Sequence, residues 1–179
     1  IAQSGYNLVR LHQFDRQLPD RSSGVSTEPD RERLDRLDFL IAELKKRGVY
    51  VTMDLFMLRD LEKGELSEFP DRAITFSEMK ALLFVSAEAR RNYRRFAANL
   101  LNHVNPYTGL AWKDDPVFVS ISLVNENTID QAYRNAAAIQ PIFRRRFEKE
   151  GRGEEERLAW ELFLDKLQQE YHQDLTGFL

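Results

Sequence analysis

Apolar residues recur along this chain with two different periods, and the switch between them marks its elements. Three short runs have the length and β-branched content of strands. They are Asn7–His12 after Gly5, Val49–Phe56 after Gly48, and Val117–Val124 after Asp115-Pro116. Between the first two, Leu34, Leu37, Ile41 and Leu44 repeat at three and four residues, with Asp, Glu and Arg on the other face. That spacing predicts an amphipathic helix. Pro29 and Asp30 suit its first turn, Lys45, Lys46 and Arg47 its last, and Gly48 its stop. A second helix is predicted over about 86–102, with Tyr93, Phe96, Ala97, Leu100 and Leu101 on one side. Arg90, Arg91, Arg94 and Arg95 fall mainly on its solvent side, and Asn105-Pro106-Tyr107-Thr108-Gly109 then breaks it. Two more helices are predicted at about 129–147 and 154–175, divided by Gly151-Arg152-Gly153.

Strands alternating with helices imply a parallel sheet joined by crossovers. A doubly wound sheet and a (β/α)8 barrel share that order. No glycine-rich phosphate loop follows any of the three strands, which favours the barrel.

Side chains alternate between the faces of a strand, so each run divides into two sets. Val9 and Leu11, then Val49, Val51, Met53 and Leu55, then Val117, Val119, Ile121 and Leu123 are apolar and should pack on the outer helices. The opposite sets carry Arg10 and His12, Thr52 and Asp54, and Ser120 and Ser122, and Glu126 continues the last. A parallel sheet covered on both sides is ordinarily apolar on both. Here one face turns polar toward the strand C-termini, where Arg10, His12, Asp54, Asn125 and Glu126 lie. Barrel enzymes draw their catalytic groups from those ends. A structural ion-pair network inside the sheet would share the pattern, although buried charges are costly unless each is paired.

Composition narrows the function. With 179 residues, 42% of them hydrophobic, the chain can form one domain with a core, and it is too apolar to be disordered. A net charge of −3 sets up no field for nucleic acid or anionic lipid, and no run approaches a membrane span. The absence of cysteine excludes disulfides and thiolate metal sites. His12 and Asp15 are spaced like metal ligands, but on a strand they would point to opposite faces, so no metal or other cofactor is expected. His103 and His172 read as helix-surface or capping residues. Trp112 and Tyr107, on the loop before the third strand, could stack on a sugar, pack in the core or anchor the loop. Ile1 follows no Met and begins no leader, so the chain is expected to be a fragment.

The segment Gly5-Tyr6-Asn7-Leu8-Val9-Arg10-Leu11-His12 resembles the second strand of the clan A glycoside hydrolases, the cellulase-like family 5 and its relatives. Leu37 to Asp54 resembles their second helix and third strand, with a Lys-Arg-Gly transition between. Asp115-Pro116 through Asn125-Glu126-Asn127 resembles their fourth strand, which ends in an Asn-Glu pair. The resemblance implies an α/β fold, a (β/α)8 TIM barrel of which about strands 2–4 are present, with residues 1–179 the N-terminal portion of the catalytic domain. It implies a retaining hydrolase acting on a poly- or oligosaccharide. Glu126 would be the general acid/base, Asn125 the contact to the sugar 2-hydroxyl, and Arg10 the group that positions the nucleophile. His12 and Asp54 would be hydrogen-bond partners of the sugar. The nucleophile, a second Glu at the end of strand seven, is expected outside this chain, and secretion or a periplasmic location follows by analogy. Two alternatives stand beside this: a non-catalytic carbohydrate-binding barrel, and a different (β/α) enzyme using Arg10, His12 and Asp54 on an anionic substrate. Oligomeric state is left open.

Overall fold

The computed structural model describes residues 1–127, and the helices expected at 129–147 and 154–175 lie outside the described residues. The three strand-like runs become β1 (Leu8–Leu11), β2 (Tyr50–Asp54) and β3 (Phe118–Ser122). They form one parallel sheet in the order β1-β2-β3. Each strand lies beside its successor in sequence, the arrangement of an arc of a (β/α)8 barrel rather than of a sheet that reverses its winding.

Helix α1 (Arg31–Lys46) connects β1 to β2. Asp30 caps it, its Oδ1 accepting the Arg33 N–H at 2.9 Å, so one of the first-turn donors has a partner. At the other end Gly48 takes φ 67°, and the amides of Gly48 and Val49 bond back to Lys45 and Leu44, each at 3.0 Å. This is the paired closure that a left-handed glycine permits, and it turns the chain directly into β2. Two helices lie between β2 and β3: α2 (Phe76–Val85) and α3 (Ala87–Leu101). The Ser86 hydroxyl caps α3 through the Ala89 amide.

The described residues fall into two units, Ile1–Phe76 with Arg91–Glu126, and a second containing Ser77–Arg90 and Asn127. In the first, Val51, Met53 and Leu55 of the β2 segment meet Ile41 and Leu44 of α1, Phe96 and Leu100 of α3, and Trp112. All are buried, and each such side chain contributes about 1.5–3 kcal/mol on burial. In the second unit Met79, Ala81 and Leu82 of α2 are buried. Among the described residues no helix is long and apolar enough to cross a membrane.

Three expectations need correction, and one helix goes unpredicted. The alternation expected for β3 fails at Val119 and Leu123, which are 54% and 64% exposed. Val51 pairs with Phe118 but Thr52 pairs with Ser120, so Val119 is an extra residue in a bulge. Phe118 thereby joins Val117 and Ile121 against the core, since a bulge shifts which residues share a face. Helix α2 is unannounced because its run from Met79 to Phe84 has almost no polar residues to set a period. Asp38, expected on the polar face of α1, is buried. Its carboxylate accepts from His103 Nε2 at 2.6 Å and from Trp112 Nε1 at 2.8 Å. His103 is therefore a partner in an interior network rather than a helix-surface histidine.

Candidate active site

The register of the sheet assembles the site. Arg10 pairs with Thr52 across β1 and β2, and Asp54 pairs with Ser122 across β2 and β3. His12 follows β1 immediately, so Arg10, His12 and Asp54 share one face at the C-terminal end. Beyond β3 the Asn125 amide donates to the Phe56 carbonyl at 2.9 Å, and this folds the Asn125-Glu126 segment back over the same end.

Asp54 is the centre of the group, with its side chain 2% exposed. Arg10 donates to it twice, Nε to Oδ2 at 2.9 Å and Nη2 to Oδ1 at 3.0 Å. His12 Nδ1 lies 2.6 Å from Oδ2. A carboxylate accepts only, so Nδ1 carries the hydrogen and Nε2 is left outward. Burial opposes ionisation of Asp54, yet the bonds from Arg10 and His12 together outweigh it and hold the carboxyl below its ordinary range. Hydrogen bonding to Asp54, and then its charge, raises the Arg10 pKa further, so the guanidinium stays charged.

Arg10 Nη2 also donates to Asn125 Oδ1 at 2.8 Å. Because Arg offers donors alone, this fixes which way the Asn125 amide faces. Its Nδ2 is buried and has no hydrogen-bond partner among the described residues. Glu126 is exposed beside it, with a backbone φ of 48°, a left-handed conformation rare for a residue with a Cβ. Its charge reaches the Arg10 guanidinium.

A cleft of about 680 Å³ opens beside His12, which lines it together with Gln13, Phe14, Arg16, Gln17, Arg21 and Asp60; His12 is the one member of the group that does. That volume lies within the range of small-molecule sites. Trp112 and Tyr107 are elsewhere, in the segment leading into β3. Trp112 is buried, and the Tyr107 hydroxyl donates to Asp35 at 2.9 Å; both anchor the loop. Asp15, expected on a strand, sits in a short 3₁₀ turn after β1, Phe14–Arg16. Its Oδ2 accepts the amides of Met57, Leu58 and Arg59 at 2.7, 2.9 and 2.9 Å. Arg59 is fully buried as well, bonded to Ser26 Oγ and, at 2.9 Å, to Asn92 Oδ1. It stacks 4.4 Å above the Phe96 ring, and burial lowers its pKa to about 10. Nothing local in the sequence announces either group, since their partners are 33 to 44 residues away.

No protein-family model matches the chain. Mannan endo-1,4-beta-mannosidase 3 of Oryza sativa subsp. japonica is 31% identical over 132 residues, covering 70% of this chain and 27% of that protein. Mannan endo-1,4-beta-mannosidase 4 of Solanum lycopersicum is 30% identical over 93 residues, 50% of this chain and 23% of that protein. The chain thus spans about a quarter of the length of these relatives. Among solved structures, the hyperthermostable endo-1,4-beta-D-mannanase of Thermotoga petrophila RKU-1 aligns with a TM-score of 0.50 at 16% identity, covering 79% of this chain and 45% of that one. The shared fold is that of a (β/α)8 barrel, of which this chain supplies part.

Proposed function

We propose that this chain, a member of the clan A glycoside hydrolases, supplies the acid/base half of a retaining active site for O-glycosidic bonds of a poly- or oligosaccharide. β-1,4-Mannan is the substrate we infer, from the activity printed for the relatives. Residues 1–179 are then the N-terminal portion of the catalytic barrel. Secretion or a periplasmic location suits a polymer too large to enter a cell.

The observation that carries the reading is the Arg10 guanidinium bridging Asp54 and Asn125. It joins all three strands at their C-terminal ends and sets Glu126 beside a fixed positive charge. A retaining hydrolase needs two carboxyls about 5–5.5 Å apart, one attacking the anomeric carbon and the other giving and then removing a proton. Glu126 is exposed to a substrate and takes the proton-transfer role. The buried Nδ2 of Asn125, lacking a partner among the described residues, suits donation to the sugar 2-hydroxyl. That contact strengthens as charge develops at the anomeric carbon.

Asp54 is spent on Arg10 and His12, so it orients them instead of meeting the sugar. The outward Nε2 of His12 and the adjoining cleft remain for substrate. Arg10, held by Asp54, provides the charge that keeps a nucleophilic carboxylate ionised. We place that nucleophile, a Glu, outside this chain. No metal or cofactor enters the proposed reaction. An anionic-substrate role for Arg10 is disfavoured because its Nε and Nη2 already serve Asp54 and Asn125.

The test is hydrolysis of β-1,4-mannan by the full-length protein and its Glu126→Gln variant. The parent should release mannooligosaccharides, and the variant should lose about 10²–10⁴-fold in kcat. Parent-level turnover by the variant would remove Glu126 from the mechanism.

A further inference from the structure

The carboxylate at position 15 is buried, is not within the substrate-facing group, and yet organises the backbone on which that group rests. We propose that Asp15 is a positioning residue for Asn125 and Glu126, acting through the main chain of residues 56–59. The proposal rests on Glu126 being the acid/base.

Three successive amides, those of Met57, Leu58 and Arg59, converge on one oxygen of Asp15. Such a concave row of N–H groups is an anion nest, here filled by the protein's own side chain. The segment it gathers continues directly from β2, whose last residue is Asp54. One residue before the nest, the Phe56 carbonyl accepts the Asn125 amide at 2.9 Å, and the Leu55 amide donates to the Ser122 carbonyl at 2.9 Å. The turn after β2 therefore holds β3 and its extension at two points.

Glu126 comes one residue later with φ 48°. A left-handed residue bearing a Cβ persists where its surroundings over-determine it. The contacts that do so are the Phe56 carbonyl on the Asn125 amide and Arg10 on its side chain. Arg10 depends on Asp54, and the Phe56 carbonyl depends on the nest. Arg59 fixes the same turn from its other side, on Ser26, Asn92 and the Phe96 ring. The line from Asp15 to Glu126 runs through hydrogen bonds and one peptide unit, with no side chain of the cleft in it.

Asp15→Asn keeps the shape and an oxygen acceptor but replaces the charged acceptor with a weaker one. In the full-length protein it should lower kcat/KM, which reports the glycosylation step, 10- to 100-fold on mannosides with poor leaving groups and less than threefold on activated aryl mannosides. Loss confined to poor leaving groups reports misplaced proton donation, which general loosening of the fold does not produce. In a Glu126→Gln background the same change should add less than threefold, because residues that act as one unit are non-additive. Equal loss on both substrate classes, or full additivity, overturns the proposal.

A second measurement does not depend on catalysis. In Asp15→Asn the amides of residues 57–59 and of Asn125 should exchange hydrogen at least tenfold faster, while those of Val51 and Met53 stay as in the parent. An unchanged Asn125 amide overturns the proposal even if Glu126 proves catalytic. Loss of leaving-group dependence in Glu126→Gln alone overturns the acid/base reading and leaves the exchange result to decide the role of Asp15. Should Asp15→Asn not fold, Asp15→Glu, with its carboxylate on a longer stem, supplies both readouts.

Discussion

Two aspartates of this molecule have nearly the same bonding and opposite surroundings. Asp54, at the C-terminal end of β2, and Asp38, inside α1, each accept from a histidine and from one other nitrogen-bearing side chain. Both carboxylates are almost wholly buried, with side chains 2% and 1% exposed. What differs is the far side of the donors. Around Asp38 the partners are Trp112, itself buried, and His103, packed edge-on against the Trp112 ring at 6.2 Å. Around Asp54 the Arg10 side chain is 55% exposed and His12 34%. Arg10 has a bond left for Asn125, and Asn125 has donors left beyond that. A buried carboxylate is thus no mark of a site by itself. The mark is partners that are themselves exposed, as Arg10 and His12 are, which suits a substrate that must arrive and leave.

Three measurements sharpen this contrast, beginning with the largest effect. Asp38→Ala strands the buried Trp112 donor, at a cost of about 1–3 kcal/mol, and removes the partner of His103, whose side chain is 25% exposed. Chemical denaturation should show a loss of about 1–3 kcal/mol, with kcat per folded molecule unchanged. A fall in kcat without a stability change would mean that the two aspartates do not divide as described.

The second effect concerns pH. The folded Asp54 carboxyl titrates below its unfolded counterpart. Its contribution to stability is therefore complete above the ordinary Asp range near pH 4 and fades as pH falls through the lower folded value. Thermal melting between pH 5 and 2 should show that fade in the parent and a shallower slope in Asp54→Asn. The smallest effect belongs to Tyr107. Its exposed hydroxyl bond to Asp35 is worth about 0.5 kcal/mol or less, as exposed contacts generally are, so Tyr107→Phe should move Tm by under ~3 °C. A larger shift would show that this loop supports the interior around Asp38.

Much of this was legible in the chain because strand and helix periods are local. The alternation through Val49, Val51, Met53 and Leu55 separates Thr52 and Asp54 from the core. Asp30 lies one residue before the first residue of α1 and Gly48 two residues after its last. The same locality explains the failures. Val119 and Leu123 fit a perfect period of two, but a bulge set by pairing with β2 turns Val119 out of the core and Leu123 lies past the end of β3. Helix α2 lacked an apolar-polar contrast to read. Asp38, His103 and Trp112 are 65 to 74 residues apart in their pairings, as Asp15 is 42 to 44 from its amides. No spacing rule spans such distances. For the site, residue type and strand end nominated Arg10, His12, Asp54, Asn125 and Glu126. That Asp54 faces Arg10 and His12 rather than the cleft emerged only with the sheet in register.

The central claim, that Glu126 transfers the proton while another carboxylate attacks, is tested most directly by supplying an external anion. Glu126→Ala in the full-length protein, given an activated aryl β-mannoside, should accumulate a glycosyl-enzyme that water alone resolves slowly. Azide needs no base to attack it. The account predicts that azide restores turnover at least tenfold and yields the β-mannosyl azide. An absence of azide effect, or an α-configured azide, would contradict it, since an α product marks the altered residue as the nucleophile.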